Sequence, residues 1–221
     1  MHREKCSNFF IGIAEMQEGL LKSMTLTDNL TKCGGRDEVS SGQTGSYLKP
    51  GATVWFTGLP CSGKTTIGNY LLKNLGDLGH RVELLDGDLL RHTISSGLGY
   101  SRDDREENIR RIAFIAGLLS KHGVITLVAT ISPYRSIRDK VREGIPNFIE
   151  VYVNAPLAVC EKRDVKGLYL KARNGELLHF TGISDPYEPP LNPEVVCYSD
   201  RETVEESVRK ICEWLKRRNA M

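Results

Sequence analysis

Gly58-Leu59-Pro60-Cys61-Ser62-Gly63-Lys64-Thr65, with Thr66 behind it, has the residue types and spacing that hold a polyphosphate. The run fits G-x-x-x-x-G-K-[ST]. Its glycines let the backbone curl so that successive N–H groups point at phosphate oxygens. Lys64 sets a point charge against the β- and γ-phosphates of ATP, and the Thr65 hydroxyl is a ligand for Mg²⁺. A second chemical cluster is Leu85-Asp86-Gly87-Asp88, where two carboxylates follow an apolar run. One would orient or deprotonate an attacking hydroxyl and the other would hold Mg²⁺ through water, with the assignment open between Asp86 and Asp88. Arg91, Arg105, Arg110 and Arg111 come next, with Asn108 among them. Arg105, Asn108 and Arg111 share one face of a predicted helix. Such a face is either solvated surface paired to Glu106 and Glu107 or the grip on a small acidic acceptor, and composition leaves both open. Lys162–Arg173 carries five basic residues and one Asp, and reads as a lid that closes over two substrates.

These groups need a scaffold that gathers them. Thr53–Thr57 is a short β-branched and aromatic strand, followed by a helix from Lys64 to about Leu78. Arg81–Leu85, Val124–Thr130 and Phe148–Val153 read as further strands. Ser101 to Asp104 has the shape of a capping box, ahead of a stripe of Ile109, Ile112, Ala113, Ala116 and Leu119. A last helix starts near Thr203, with Glu206 three residues on and Val204, Val208, Ile211, Cys212 and Leu215 along one face. Strands that are nearly continuously apolar and alternate with helices predict an α/β fold of the P-loop NTPase type. It has three layers, a mostly parallel sheet with helices on both faces, and a lid over about 162–190. The working domain is 51–218. Residues 1–50 form an N-terminal extension, and the polar, glycine-punctuated stretch Thr31–Ser46 marks it as linker or disordered.

Composition sets the outer limits. The chain has 221 residues, 40% of them apolar and 26% charged, which suits a soluble domain with a sizeable core and excludes wholesale disorder. A net charge of +2 argues against a chain that coats nucleic acid. The basic tail Arg209–Arg218 lies on the polar face of an amphipathic helix, so no nucleic-acid partner is expected. Basic and acidic residues balance within the first fifty, so the small excess belongs to the working domain. The six cysteines (Cys6, Cys33, Cys61, Cys160, Cys197, Cys212) form no CxxC pair and no zinc-finger spacing, and suit a reducing compartment. The apolar run Phe9–Ala14 is far short of the roughly 20 residues that span a bilayer. A cytoplasmic protein with no membrane partner is expected.

With these stretches assembled, the chain resembles the adenosine 5′-phosphosulfate kinases (adenylyl-sulfate kinases) over about residues 51–215. The resemblance rests on GLPCSGKTT at 58–66, LDGDLLRH at 85–92, LGYSRDDREENIRRI at 98–112 and ISPYRSIRD at 131–139. PLAVCEKRDVKGLYLKAR at 156–173 and FTGISDPYEPPLNPE at 180–194 complete it. It implies transfer of the ATP γ-phosphate to the ribose 3′-hydroxyl of adenosine 5′-phosphosulfate, giving 3′-phosphoadenosine 5′-phosphosulfate and ADP in sulfate assimilation. Arg91, Arg105 and Asn108 would hold the phosphosulfate, and Tyr100 and Phe180 would sandwich the adenine. Ile131, Ser132 and Lys166 would complete that pocket, while Lys171 and Arg173 would close the lid on the ATP side. Ser132 falls where the family assigns a phosphoserine intermediate, although direct in-line transfer needs only positioning and charge neutralisation. The resemblance also implies a homodimer and functional coupling to ATP sulfurylase. Tyr100 stands where phenylalanine is common, and Pro60-Cys61 where serine and glycine are more usual. Two alternatives are another small-molecule P-loop kinase (for gluconate, shikimate or a nucleotide) and a nucleotide-binding module without turnover.

Overall fold

The computed structural model describes residues 51–221; the extension read over 1–50 lies outside them. Five strands, β1 (Thr53–Thr57), β2 (Val82–Asp86), β3 (Ile125–Ala129), β4 (Phe148–Asn154) and β5 (Val195–Tyr198), form one sheet in the order β2-β3-β1-β4-β5. Every ladder between them is parallel. Seven helices accompany them: α1 (Lys64–Asp77), α2 (Gly87–His92), α3 (Arg102–Lys121), α4 (Arg135–Gly144), α5 (Leu157–Lys162), α6 (Leu168–Arg173) and α7 (Val204–Arg217).

β1 explains the three layers by itself. All five of its residues are buried, and successive side chains leave opposite faces of the pleat. Val54 and Phe56 pack with Leu71 and Leu75 of α1 and Ile211 and Leu215 of α7. Trp55 turns the other way and packs with Ile109 and Ile112 of α3 and Ile137 and Val141 of α4. Each large side chain buried this way contributes roughly 1.5–3 kcal/mol, so the two apolar faces dominate the fold's stability. Ser101 caps α3 by accepting from Asp104 N at 3.2 Å. Thr203 and Glu206 close a reciprocal capping box on α7.

The expected three-layer α/β fold is therefore present, with elements beyond the sequence reading, β5 and α2 among them. β5 is a four-residue edge strand emerging from a proline-rich run, too short to show a period of its own. The short helix α2 begins directly at the Asp-Gly-Asp cluster, because the Asp86 carboxylate caps it. Parallel strands place all their C-terminal ends at one edge, where α/β folds bind ligands. The phosphate loop follows β1, Asp86 ends β2, and residues 130–134 follow β3. The segment expected as a lid leaves β4 as α5 and α6, with a small core of its own. Cys160, Tyr169 and Phe180 are buried there against Leu59 and Cys61 of the phosphate loop.

Candidate active site

The phosphate loop joins β1 to α1 through a backbone that demands its glycines. Gly58 sits at φ 153°, and a Cβ there would lie 2.4 Å from the Val153 carbonyl oxygen. Lys64 is buried and turned onto the loop itself, donating to the Gly58 carbonyl at 2.9 Å and the Leu59 carbonyl at 2.6 Å. Burial pulls its ammonium down from 10.5 to about 8, while the neighbouring Cys160, Cys61, Asp88 and Asp86 push the other way. Cys61 adopts φ 59° in the same loop, and burial raises its thiol pKa, so it is a weak nucleophile.

The two aspartates, equivalent by spacing, are not equivalent in place. Asp86 Oδ1 accepts from the backbone N–H of Asp88 at 2.9 Å and of Leu89 at 3.3 Å, and Asp86 Oδ2 accepts from the Thr65 hydroxyl at 2.9 Å. Both its oxygens are committed, one to a helix start and one to the phosphate loop. Asp88 is exposed and takes Lys166 Nζ at 2.6 Å. That contact raises the Lys166 pKa and keeps the side chain cationic. Gly87 between the two sits in tight quarters, where a Cβ would lie 3.1 Å from the Ala129 carbonyl oxygen.

Arg105 and Asn108 are buried side by side on α3, while Arg111 is only half-buried. Arg105 donates through Nη1 to Thr181 Oγ1 at 2.9 Å and through Nη2 to the His179 carbonyl, with Asp185 at 3.7 Å. Burial lowers its pKa and Asp185 counters, leaving a permanent cation beneath the 179–185 loop. Asn108 Oδ1 is buried without a hydrogen-bond partner among the described residues, a polar atom that a ligand donor would satisfy. Arg91 stacks over the Tyr100 ring at 4.6 Å, and Tyr100 is exposed. Phe180 is buried, packing edge-on against Tyr169 at 4.9 Å between centroids. Arg110 pairs with Glu107 at 2.9 Å and with Glu106, and Arg111 pairs with Glu107 at 2.9 Å, so these two follow the solvated-surface reading.

Ile131 and Ser132 lie on the turn after β3. Ser132 is buried at φ 45°, and its Oγ accepts from Trp55 Nε1 at 2.9 Å. Lys171 and Arg173 are not gathered with the rest: Arg173 binds Glu161 at 2.7 Å, and Lys171 is exposed.

Sequence reasoning missed the far wall of the cleft beside the phosphate loop. A cleft of about 460 Å³ extends from Lys64, Thr65 and Thr66 to Arg163, Thr203 and Val204. Arg163 is fixed there by Ser199, donating to its carbonyl at 2.8 Å and its Oγ at 3.1 Å, and Ser199 Oγ donates back to the Ser62 carbonyl at 2.6 Å. The capping box at Thr203 was visible in the sequence, but its place beside the phosphate loop depends on β5.

This geometry has close relatives. The profile of the Adenylylsulphate kinase family matches residues 50–198. An adenylyl-sulfate kinase of Rippkaea orientalis is 61% identical over 75% of this chain and 91% of its own. One from Halothermothrix orenii is 56% identical over 75% of this chain and 90% of its own. The structure of the Mycobacterium tuberculosis APS kinase CysC in complex with AMPPNP and APS superposes with a TM-score of 0.73. It is 42% identical and covers 76% of this chain and 98% of its own. The phosphate loop, the Asp-Gly-Asp turn and the buried Arg105–Asn108 pair all fall within the stretch these relatives share, and the chain belongs to the adenylylsulphate kinase family.

Proposed function

We infer that this chain performs its family's reaction, moving the γ-phosphoryl group of ATP to the 3′-hydroxyl of adenosine 5′-phosphosulfate. One observation carries the reading beyond kinship: Thr65, Asp86, Asp88 and Lys166 form a continuous run of contacts from the phosphate loop to the lid, with Thr65–Asp86 at 2.9 Å and Asp88–Lys166 at 2.6 Å. The triphosphate lies along the loop N–H groups, and Lys64 exchanges its loop carbonyls for phosphate oxygens. The purine of ATP enters the cleft toward Arg163 and Thr203.

The oxygen donors at the start of α1 suit Mg²⁺: Thr65 would hold the ion directly and Asp86 through water. When bound, the ion neutralises charge on the β- and γ-phosphates. Asp86 is held between the start of α2 and Thr65 and would serve the metal's waters, so Asp88 is the carboxylate we assign to orient the acceptor. Its carboxylate receives the 3′-hydroxyl proton as the acceptor oxygen bonds to the γ-phosphorus and the bond to ADP breaks. Lys166 steadies that carboxylate and the charge that moves. Arg91, Arg105 and Asn108 bind the phosphosulfate, and the Asn108 Oδ1 gains a donor. Tyr100 and Phe180 flank the acceptor adenine beside Ile131.

The test is coupled ADP release with purified adenosine 5′-phosphosulfate, gluconate, shikimate and nucleoside monophosphates, with and without Mg²⁺. ADP should appear only with adenosine 5′-phosphosulfate and only with the metal. Comparable release with gluconate or shikimate would reassign the acceptor, and saturable ATP binding with no release on any acceptor would favour a non-catalytic module.

A further inference from the structure

Beneath the acceptor side lies a buried cation that the reaction above does not use. Arg138 of α4 is 1% exposed. Its guanidinium makes three hydrogen bonds to three segments: Nε to Glu150 Oε1 on β4 at 2.7 Å, Nη1 to the Ser132 carbonyl, and Nη2 to the Glu188 carbonyl at 2.7 Å. Glu150 is itself shared, its other oxygen taking Arg142 at 3.1 Å, and Arg142 reaches on to Glu194 at 2.9 Å. The four side chains sum to zero charge, which makes burial of the cation tolerable.

The turn that Arg138 holds is caught at several further polar atoms. Thr57 donates to the Ile131 carbonyl at 2.7 Å, Trp55 Nε1 to Ser132 Oγ at 2.9 Å, and Glu188 N to the Pro133 carbonyl at 2.8 Å. Ser132 is a non-glycine residue at φ 45°, a conformation that persists only where surroundings impose it. Ser132, Pro133 and Tyr134 are buried, and Ile131 is the turn residue left partly open.

We propose that Arg138 is a positioning residue for the acceptor: its guanidinium clamps the strained turn at Ser132 to the 187–189 segment and so sets where Ile131 and its backbone meet the acceptor nucleoside. The proposal rests on the reading that this turn faces the acceptor. Only a planar fork reaches a carboxylate and two carbonyls from one site, so lysine is not an equivalent.

The experiment measures kcat and both KM values for the unmodified chain, Arg138→Lys and Trp55→Phe. Arg138→Lys should raise acceptor KM about 10- to 100-fold while nucleotide KM stays within about twofold and kcat within about threefold. Trp55→Phe, which keeps an aromatic though smaller side chain and deletes the hydrogen bond to Ser132, should raise acceptor KM several-fold in the same pattern. An unmoved acceptor KM in Arg138→Lys, or equal damage to both KM values, would refute the clamp. Should Arg138→Lys fail to fold, Trp55→Phe decides by the same split. An unmodified chain inactive on adenosine 5′-phosphosulfate would sink the functional reading instead, an outcome separate from turnover with unchanged KM.

Discussion

The two halves of the site, donor and acceptor on the proposed reading, are held by opposite means. The donor loop is local: its shape comes from Gly58 and Gly63, and its lysine rests on carbonyls five and six residues away. The acceptor turn is held at a distance, by Trp55 and Thr57 from β1, Arg138 from α4 and Glu188 from the end of the segment expected as a lid. A local loop can change its contacts when phosphate arrives, because backbone N–H groups and one flexible lysine are all that must move. A turn fixed by three segments cannot rearrange without disturbing each of them. Breaking a buried ion pair such as Arg138–Glu150 costs about 3–5 kcal/mol, whereas an exposed pair such as Lys73–Asp77 contributes roughly 0–1 kcal/mol. The donor half is thus built to adapt, and the acceptor half to stay in place.

Two substitutions should separate the halves. Lys64→Ala removes the only buried ammonium of the donor loop and should lower kcat by about 10³-fold or more, the scale on which single charges stabilise phosphoryl transfer. Steady-state turnover at saturating substrates measures it, and near-normal kcat would defeat the donor assignment. Arg105→Ala should act on the other half and more mildly. It deletes the hydrogen bonds to Thr181 and the His179 carbonyl, frees the 179–185 loop and, on the proposed reading, removes the charge that binds the acceptor, so acceptor KM should rise about 10- to 100-fold with kcat less affected. An unchanged acceptor KM would contradict its place in the site.

The same contrast explains what could be read from the chain alone. Residues 58–66 announce themselves because the constraint is local: a positive-φ glycine, a lysine and a hydroxyl at fixed offsets. β1, β3 and β4 were legible because strands buried on both faces are nearly continuously apolar, with few interruptions such as Glu150. The caps at Ser101 and Thr203 were legible for a similar reason, since each is satisfied within three residues. Arg138 was not legible; an arginine on an amphipathic helix looks like surface until β4 supplies Glu150 from 12 residues away. The unequal duties of Asp86 and Asp88 were hidden too, because only the fold shows which carboxylate caps α2 and which meets Lys166. Arg163 and Ser199 met beside the phosphate loop through β5, whose four residues carry no readable period.

Protons offer the gentlest way to tell the halves apart. In the free chain the Lys64 ammonium is pulled down to about 8 by burial. A bound triphosphate stabilises the charged form and moves that pKa upward. Between the two values the complex holds more protons than the free chain, so binding takes up protons, and nucleotide affinity declines as pH rises through the window. Below about pH 7 both states carry the full charge and the effect vanishes. The thiols of Cys61 and Cys160 face the same lysine, but their pKa values are raised from 9.0, so they titrate above the start of this window. Titration calorimetry of Mg-ATP at pH 8.5 in buffers of different ionisation enthalpy should show an uptake of about half a proton or more, and at pH 6.5 none from this group. The acceptor turn rests on Trp55, Thr57 and Arg138 rather than on Lys64, so acceptor KM should stay flat from pH 7 to 9 while nucleotide affinity falls. A binding enthalpy independent of buffer at pH 8.5 would remove Lys64 as the responsive group. An acceptor KM that tracked nucleotide affinity would erase the division between an adaptable donor loop and a fixed acceptor turn.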